Sequence, residues 1–185
     1  ISRLYKGEDC FVPCTAESVM RLIKSSKENI QGLRAVVIGR STIVGKPAAN
    51  LLLQENATVT ICHSKTKNLK EICREADILV SAIGKPKFIN ASHIKDGVTI
   101  VDVGINRTEN GLCGDVDFDD VKDKCYAITP VPGGVGPMTV YSLIENVLTD
   151  DLIVEAVEPA KEYDFSASVV EDEAPFDGKI GDEDY

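Results

Sequence analysis

The residues from Ala35 to Pro47 combine the types and spacing that bind phosphate groups. Ala35–Ile38 is a short apolar run rich in β-branched residues, which predicts a strand buried on both faces. Gly39 and Gly45 follow, and Pro47 is favoured in the first turn of a helix. A strand, a glycine-bearing turn and a helix N-terminus direct backbone N–H groups and the helix dipole at an anion. The spacing is not the G-x-G-x-x-G fingerprint, so an ordinary βα turn remains an equal alternative here.

The end of the second predicted strand indicates which dinucleotide would bind. In dinucleotide folds a carboxylate at this point binds the 2′-hydroxyl of NAD, whereas the 2′-phosphate of NADP requires cations or donors. Residues 58–62 lead into 63–67, and no carboxylate follows until Glu71. Arg40 can reach the same place, and Ser64 supplies a hydroxyl. The sequence therefore favours NADP.

Strands and helices alternate along the chain up to about residue 148. This alternation predicts an α/β fold, a Rossmann-like doubly wound parallel sheet with helices on both faces. The first 14 residues are predicted to be extended. Strands are predicted at 35–39, 58–62, 77–83, 98–103 and 127–131, and helices at 15–31, 45–54, 68–75, 91–94, 117–122 and 138–148.

Three loops with glycine or proline follow predicted strands, at 39–45, 84–86 and 132–137. Ligands of parallel sheets bind outside the carboxyl ends of the strands. We therefore expect these loops to converge on one crevice. A tight turn is expected at 108–111, because Asn-Gly tolerates positive φ angles.

Charge divides the chain into a balanced body and an acidic tail. The net charge of −10 comes entirely from residues 151–185, which hold 12 acidic and 2 basic side chains. We interpret 1–14 as the remnant linker of a missing domain, 15–150 as one NAD(P)-binding domain, and 151–185 as a disordered acidic tail. The body has no basic surface typical of nucleic-acid binding.

The six cysteines show no C-x-x-C spacing, which argues against a zinc site and a disulfide framework. No run of about 18 apolar residues predicts a membrane segment. We expect no metal, a cytoplasmic location with an organelle matrix as the alternative, and a homodimer. The chain starts at Ile1, so we expect a fragment or a processed product.

Five ordered motifs within residues 1–150 resemble the bifunctional methylenetetrahydrofolate dehydrogenase/methenyltetrahydrofolate cyclohydrolase family, in its C-terminal NAD(P)-binding domain. The resemblance implies NADP-linked oxidation of 5,10-methylenetetrahydrofolate to the methenyl form, followed by hydrolysis to 10-formyltetrahydrofolate. The motifs are Phe11-Val-Pro-Cys-Thr15, Gly39-Arg-Ser-Thr-Ile-Val-Gly-Lys-Pro47, Cys62-His-Ser-Lys-Thr66, Val101-Asp-Val-Gly-Ile-Asn-Arg107 and Pro130-Val-Pro-Gly-Gly-Val-Gly-Pro-Met-Thr139.

The resemblance also implies roles for two groups of residues. One group would bind the cofactor, with Ser64 at the 2′-phosphate and Ile105 beside the nicotinamide. The other would close on tetrahydrofolate one-carbon derivatives. The cofactor group is Gly39, Arg40, Ser41, Ser64 and Ile105, and the substrate group is Pro132, Gly133, Gly134, Val135 and Gly136.

The catalytic residues of the family lie outside this chain. In the family a separate N-terminal domain supplies a Tyr-x-x-x-Lys pair, whereas Tyr5 and Lys6 are adjacent here. We therefore expect no catalytic residue in this chain, and a missing N-terminal domain as its partner. The alternatives are a catalytically silent NADP-binding module or regulator, and a dehydrogenase of another substrate class. The Pro130–Thr139 motif argues against the last.

Overall fold

Five parallel strands form the central sheet, in the order β2-β1-β3-β4-β7. The computed structural model describes residues 2–109 and 111–148, so the expected tail of 151–185 lies outside the described residues. A separate antiparallel hairpin is formed by β5 and β6. The strands are β1 (Arg34–Ile38), β2 (Thr58–Cys62), β3 (Ile78–Ser81), β4 (Thr99–Asp102), β5 (Asn106–Thr108), β6 (Gly111–Cys113) and β7 (Ala127–Ile128).

The direction in which the chain crosses the sheet changes between β1 and β3. From β1 the chain moves outward to β2, and it then returns across β1 to place β3 on its other side. The carboxyl ends of β1 and β3 therefore flank the switch point, where ligands bind in such sheets. In the register, Ile38 of β1 is paired with Cys62 of β2 and with Ser81 of β3.

Helices cover both faces of the sheet, which confirms the doubly wound, Rossmann-like fold. Successive residues of a strand point to opposite faces. Val37 accordingly packs with α2 and α3 residues, while Val36 packs in the second cluster with residues of α4 and α5. The helices are α1 (Ser2–Lys6), α2 (Cys14–Ser26), α3 (Gly45–Gln54), α4 (Leu69–Arg74), α5 (Phe118–Val121) and α6 (Val135–Leu148), with a 3-10 turn at Ala91–His93.

Several local predictions are wrong. The first 14 residues contain α1, whose Leu4 is buried and whose carbonyl accepts hydrogen bonds from the side chains of two α3 residues. Helix α2 begins at Cys14 and ends at Ser26, five residues before the predicted end. Helix α6 begins three residues before the predicted Met138.

Candidate functional site

The turn after β1 is packed tightly between its two neighbouring strands. Gly39 has a φ of 128°, a conformation that side chains disfavour. Its N–H donates to the carbonyl of Cys62 at 2.8 Å. A Cβ on Gly39 would overlap the carbonyl oxygen of Ala82 in the loop after β3. Only glycine fits here, and the fit brings the β1 and β3 loops together at the switch point.

The loop of residues 40–43, between β1 and α3, contains backbone donors beside this turn. The Ser41 hydroxyl accepts from the N–H groups of Val44 at 3.2 Å and Gly45 at 3.3 Å, and its carbonyl accepts from the N–H of Lys46 at 3.0 Å, so Ser41 fixes the turn that leads into the helix. Within residues 2–109 and 111–148, no hydrogen bond is made by the N–H groups of residues 40–43, all of which are exposed. These donors and the helix dipole suit the diphosphate of a dinucleotide.

Arg40 and Ser64 follow neighbouring strands of the sheet, β1 and β2. Each lies two residues beyond the paired strand ends Ile38 and Cys62. Both are exposed, and neither side chain makes an ion pair or hydrogen bond with the described part of the chain. The guanidinium of Arg40 and the hydroxyl of Ser64 are therefore exposed beyond β1 and β2, without a partner in the described part of the chain.

The turn that carries Ser64 is itself fixed by hydrogen bonds. The Thr66 N–H donates to the His63 carbonyl at 2.8 Å, and the His63 N–H donates to the Thr66 hydroxyl at 2.9 Å. No carboxylate occurs between 63 and 67. This turn therefore presents hydroxyl and cationic groups and no anion, which suits a 2′-phosphate rather than a 2′-hydroxyl.

The loops after β3 and β4 are joined by one buried carboxylate. Asp115 has no exposed surface and accepts from the N–H groups of three consecutive residues of the β3 loop. Those distances are 2.6 Å to Ile83, 3.1 Å to Gly84 and 3.0 Å to Lys85. The side-chain amide of Asn106 donates to the same carboxylate at 2.9 Å.

A second buried carboxylate, that of Asp102, holds the segment that carries Asp115. It accepts from the N–H groups of Gly104 at 2.9 Å, Asp115 at 3.1 Å and Val116 at 2.9 Å. Burial raises the pKa of Asp102 to about 6, although these N–H donors act to lower it. Our sequence analysis missed both aspartates, and their only sequence signal is an acidic residue within or beside an apolar run.

Ile105 and the 132–136 segment differ in how much surface they present. Ile105 is 66% exposed and lies three residues beyond β4, next to Asn106. Pro132, Gly133 and Gly136 are exposed, whereas Gly134 and Val135 are buried. The Val135 side chain packs in the core, so only its backbone is available to a ligand.

The 132–136 segment is only partly a loop. Its last two residues, Val135 and Gly136, belong to the first turn of α6. A Cβ on Gly134 would lie 2.6 Å from the Pro130 carbonyl oxygen, so close packing requires glycine there. A cavity of about 350 Å³ lies beside it, between α2, β7 and the start of α6. The convergence of this segment with the other loops stays a prediction.

Residues 13–153 match the family model of the tetrahydrofolate dehydrogenase/cyclohydrolase NAD(P)-binding domain. The chain belongs to this family. A relative named bifunctional protein FolD, from Clostridium novyi, is 60% identical over 147 residues, which are 80% of this chain and 53% of that protein. The chain thus spans about half the length of the curated relatives it matches.

The chain is also similar in structure to solved enzymes of this family. The bifunctional FolD enzyme from Campylobacter jejuni aligns with a TM-score of 0.77 and 48% identity, over 80% of this chain and 53% of that one. The FolD of Trypanosoma brucei, solved in complex with NADP cofactor and inhibitor, aligns with a TM-score of 0.74 and 43% identity over the same shares. None of the described helices is long and apolar enough to cross a membrane.

Proposed function

We propose that this chain is the NADP-binding half of a bifunctional enzyme. The enzyme oxidises 5,10-methylenetetrahydrofolate to the methenyl form and hydrolyses that product to 10-formyltetrahydrofolate. The observation that carries the proposal is the glycine turn with the unbonded N–H groups of residues 40–43 at the switch point, in a chain that belongs to this family. The 60% identity to a bifunctional FolD protein supports the two activities.

The first turn would bind the shared part of the cofactor. The N–H groups of 40–43 would donate to the diphosphate oxygens, while Gly39 allows the backbone to approach closely. The Ser41 hydroxyl would act indirectly, because it fixes the start of α3. When bound, the nicotinamide ring supplies the hydride acceptor for the oxidation.

Arg40 and Ser64 would select NADP. Their side chains lack partners in the described part of the chain and lie beyond paired residues of β1 and β2. A guanidinium and a hydroxyl complement the 2′-phosphate, and no carboxylate competes for a 2′-hydroxyl in this turn. The NADP complex of the Trypanosoma brucei relative supports this assignment.

Ile105 and residues 132–136 would form this chain's wall of the folate site. Ile105 offers an exposed apolar surface beside the nicotinamide, and Pro132, Gly133 and Gly136 offer exposed backbone to the flat pterin. Holding the one-carbon bridge against the nicotinamide can lower the barrier by about 7–11 kcal/mol. The opposing wall and the catalytic lysine would come from the N-terminal half, which this chain does not cover.

The chain would work as a homodimer in a reducing compartment such as the cytoplasm. All six cysteines are free thiols, which is typical of reducing compartments. Strand β2 lies at the edge of the sheet, and its Ile61 side chain is 42% exposed. An edge strand of this kind pairs readily with another chain.

Calorimetric titration of NADP and NAD against the wild type and Arg40→Ala tests the cofactor assignment. We expect tighter binding of NADP than of NAD by the wild type. The substitution should cost about 1.5–3 kcal/mol for NADP and little for NAD, because it removes a charge-assisted contact.

Arg3→Ala is the matched control. Arg3 is an exposed arginine of α1, which contacts the C-terminal half of α3 and not its N-terminus. Its substitution should change neither affinity. Tighter binding of NAD by the wild type, or equal losses for both cofactors in Arg40→Ala, would contradict the assignment.

A further inference from the structure

Two buried carboxylates in this fold have no role in the proposed cofactor contacts. Asp102 and Asp115 are 3% and 0% exposed, respectively, and neither is paired with a cation in the described residues. Burying a carboxylate is costly unless hydrogen bonds compensate it. Both accept hydrogen bonds from several N–H groups, so the fold uses them as anchors for backbone.

Two glycines make room for these anchors. A Cβ on Gly104 would overlap the carboxyl group of Asp115, and a Cβ on Gly114 would overlap that of Asp102. Each glycine therefore allows a carboxylate to lie directly against the backbone of the other segment. The carboxylates and glycines form one interlocked unit between β4 and the segment after the β5–β6 hairpin.

The donors to Asp115 come from the loops that flank the nicotinamide side of the crevice. A dinucleotide lies across the switch point, so its adenosine half belongs over β1 and β2 and its other half over β3 and β4. Ile83, Gly84 and Lys85 follow β3, and Asn106, the first residue of β5, follows the short segment that leads out of β4. A single carboxylate thus fixes both loops on one side of the crevice.

We propose that Asp115 is the positioning residue of the nicotinamide side. It holds residues 83–85 and the Ile105–Asn106 turn in the conformation that receives the nicotinamide half of the cofactor. This inference rests on the proposed function. Asp115 acts through the loops that it anchors.

The test uses two probes, NADP⁺ and adenosine 2′,5′-bisphosphate, which lacks the nicotinamide half. Calorimetry with Asp115→Asn should show about a tenfold to hundredfold loss of NADP⁺ affinity, because an amide cannot accept from all four N–H donors and from the Ser81 hydroxyl at 3.5 Å. Affinity for the bisphosphate should stay within about twofold of the wild type, since its site lies over β1 and β2.

Asp77→Asn is the matched control at the opposite end of β3. Asp77 accepts from the N–H of Arg34 at 2.8 Å and from Lys95 at 2.6 Å, so it also anchors backbone with a carboxylate. Its substitution should leave both affinities within about twofold. A general loss of stability in either variant would lower its unfolding midpoint. It would not weaken the binding of NADP⁺ while leaving that of the bisphosphate unchanged.

Asn106→Ala provides a second variant if Asp115→Asn does not fold. It keeps the buried carboxylate and its three backbone donors, and it should weaken NADP⁺ alone by about threefold to tenfold. Unchanged NADP⁺ affinity in the folded variants, or equal losses for both probes, would overturn the positioning role. Failure of the wild type to bind either probe would instead overturn the proposed function itself.

Discussion

The two buried aspartates show how single residues act over long sequence distances in this chain. Asp102 accepts from residues up to 14 positions away, and Asp115 accepts from residues about 30 positions away. Neither spacing follows a helix or strand period. For this reason the aspartates could not be identified from the sequence, whereas Gly39 and Gly45 could be, since they adjoin the strand and helix that they connect.

The raised pKa of Asp102 predicts a specific pH dependence of stability. Burial raises the pKa from an ordinary value of 3.8 to about 6, so between these values the folded state binds a proton that the unfolded state has released. The contribution of Asp102 to unfolding free energy is therefore present below about pH 4 and is lost as the pH rises to about 6, by on the order of 3 kcal/mol.

Asp102→Asn removes this titration. Denaturant unfolding of both proteins from about pH 4 to pH 7 should show the wild type losing stability relative to the variant as the pH rises. Above about pH 6 the difference should become constant. A difference that is constant over the whole range would show that Asp102 does not titrate there.

At the scale of secondary-structure elements, the sequence correctly predicts the strands whose pattern of apolar residues is clear. The buried strands β1, β3 and β4 are runs of apolar residues, and their patterns needed no tertiary information. The hairpin of β5 and β6 was missed beyond its turn, because three-residue strands with mostly exposed side chains have no usable alternation. Helix α1 was missed because five residues around one buried leucine define no helical face.

The exposed edge of β2 leads to a prediction about assembly. Residues of β2 are mostly exposed, unlike those of the other sheet strands, and Ile61 lies on this edge strand. Lysine on an edge strand discourages strand pairing between chains. We expect the wild type to sediment as a dimer and Ile61→Lys as a monomer in analytical ultracentrifugation.

Leu53→Lys is the control, because Leu53 is an exposed apolar residue on α3 rather than on the edge strand. It should leave the dimer intact. A monomeric wild type, or a dimeric Ile61→Lys variant, would contradict assembly through β2.

At the scale of the whole molecule, the chain contains the NAD(P)-binding domain, and the proposed function assigns it one wall of a folate site. The Rossmann-like sheet and its switch point are formed within residues 2–148. The relatives are about twice as long as the matched region, which covers 53% of the Clostridium novyi protein. We therefore expect cofactor binding and catalysis to be separable.

The most direct test measures NADPH formation from 5,10-methylenetetrahydrofolate by the purified chain. The assay is run alone and with the N-terminal half of the Clostridium novyi relative added, and Arg40→Ala in the mixture is the control for the cofactor site. We predict no turnover by the chain alone, turnover in the mixture, and loss of that turnover with Arg40→Ala. Turnover by the chain alone would contradict the division of labour, and an inactive mixture would favour a silent NADP-binding module.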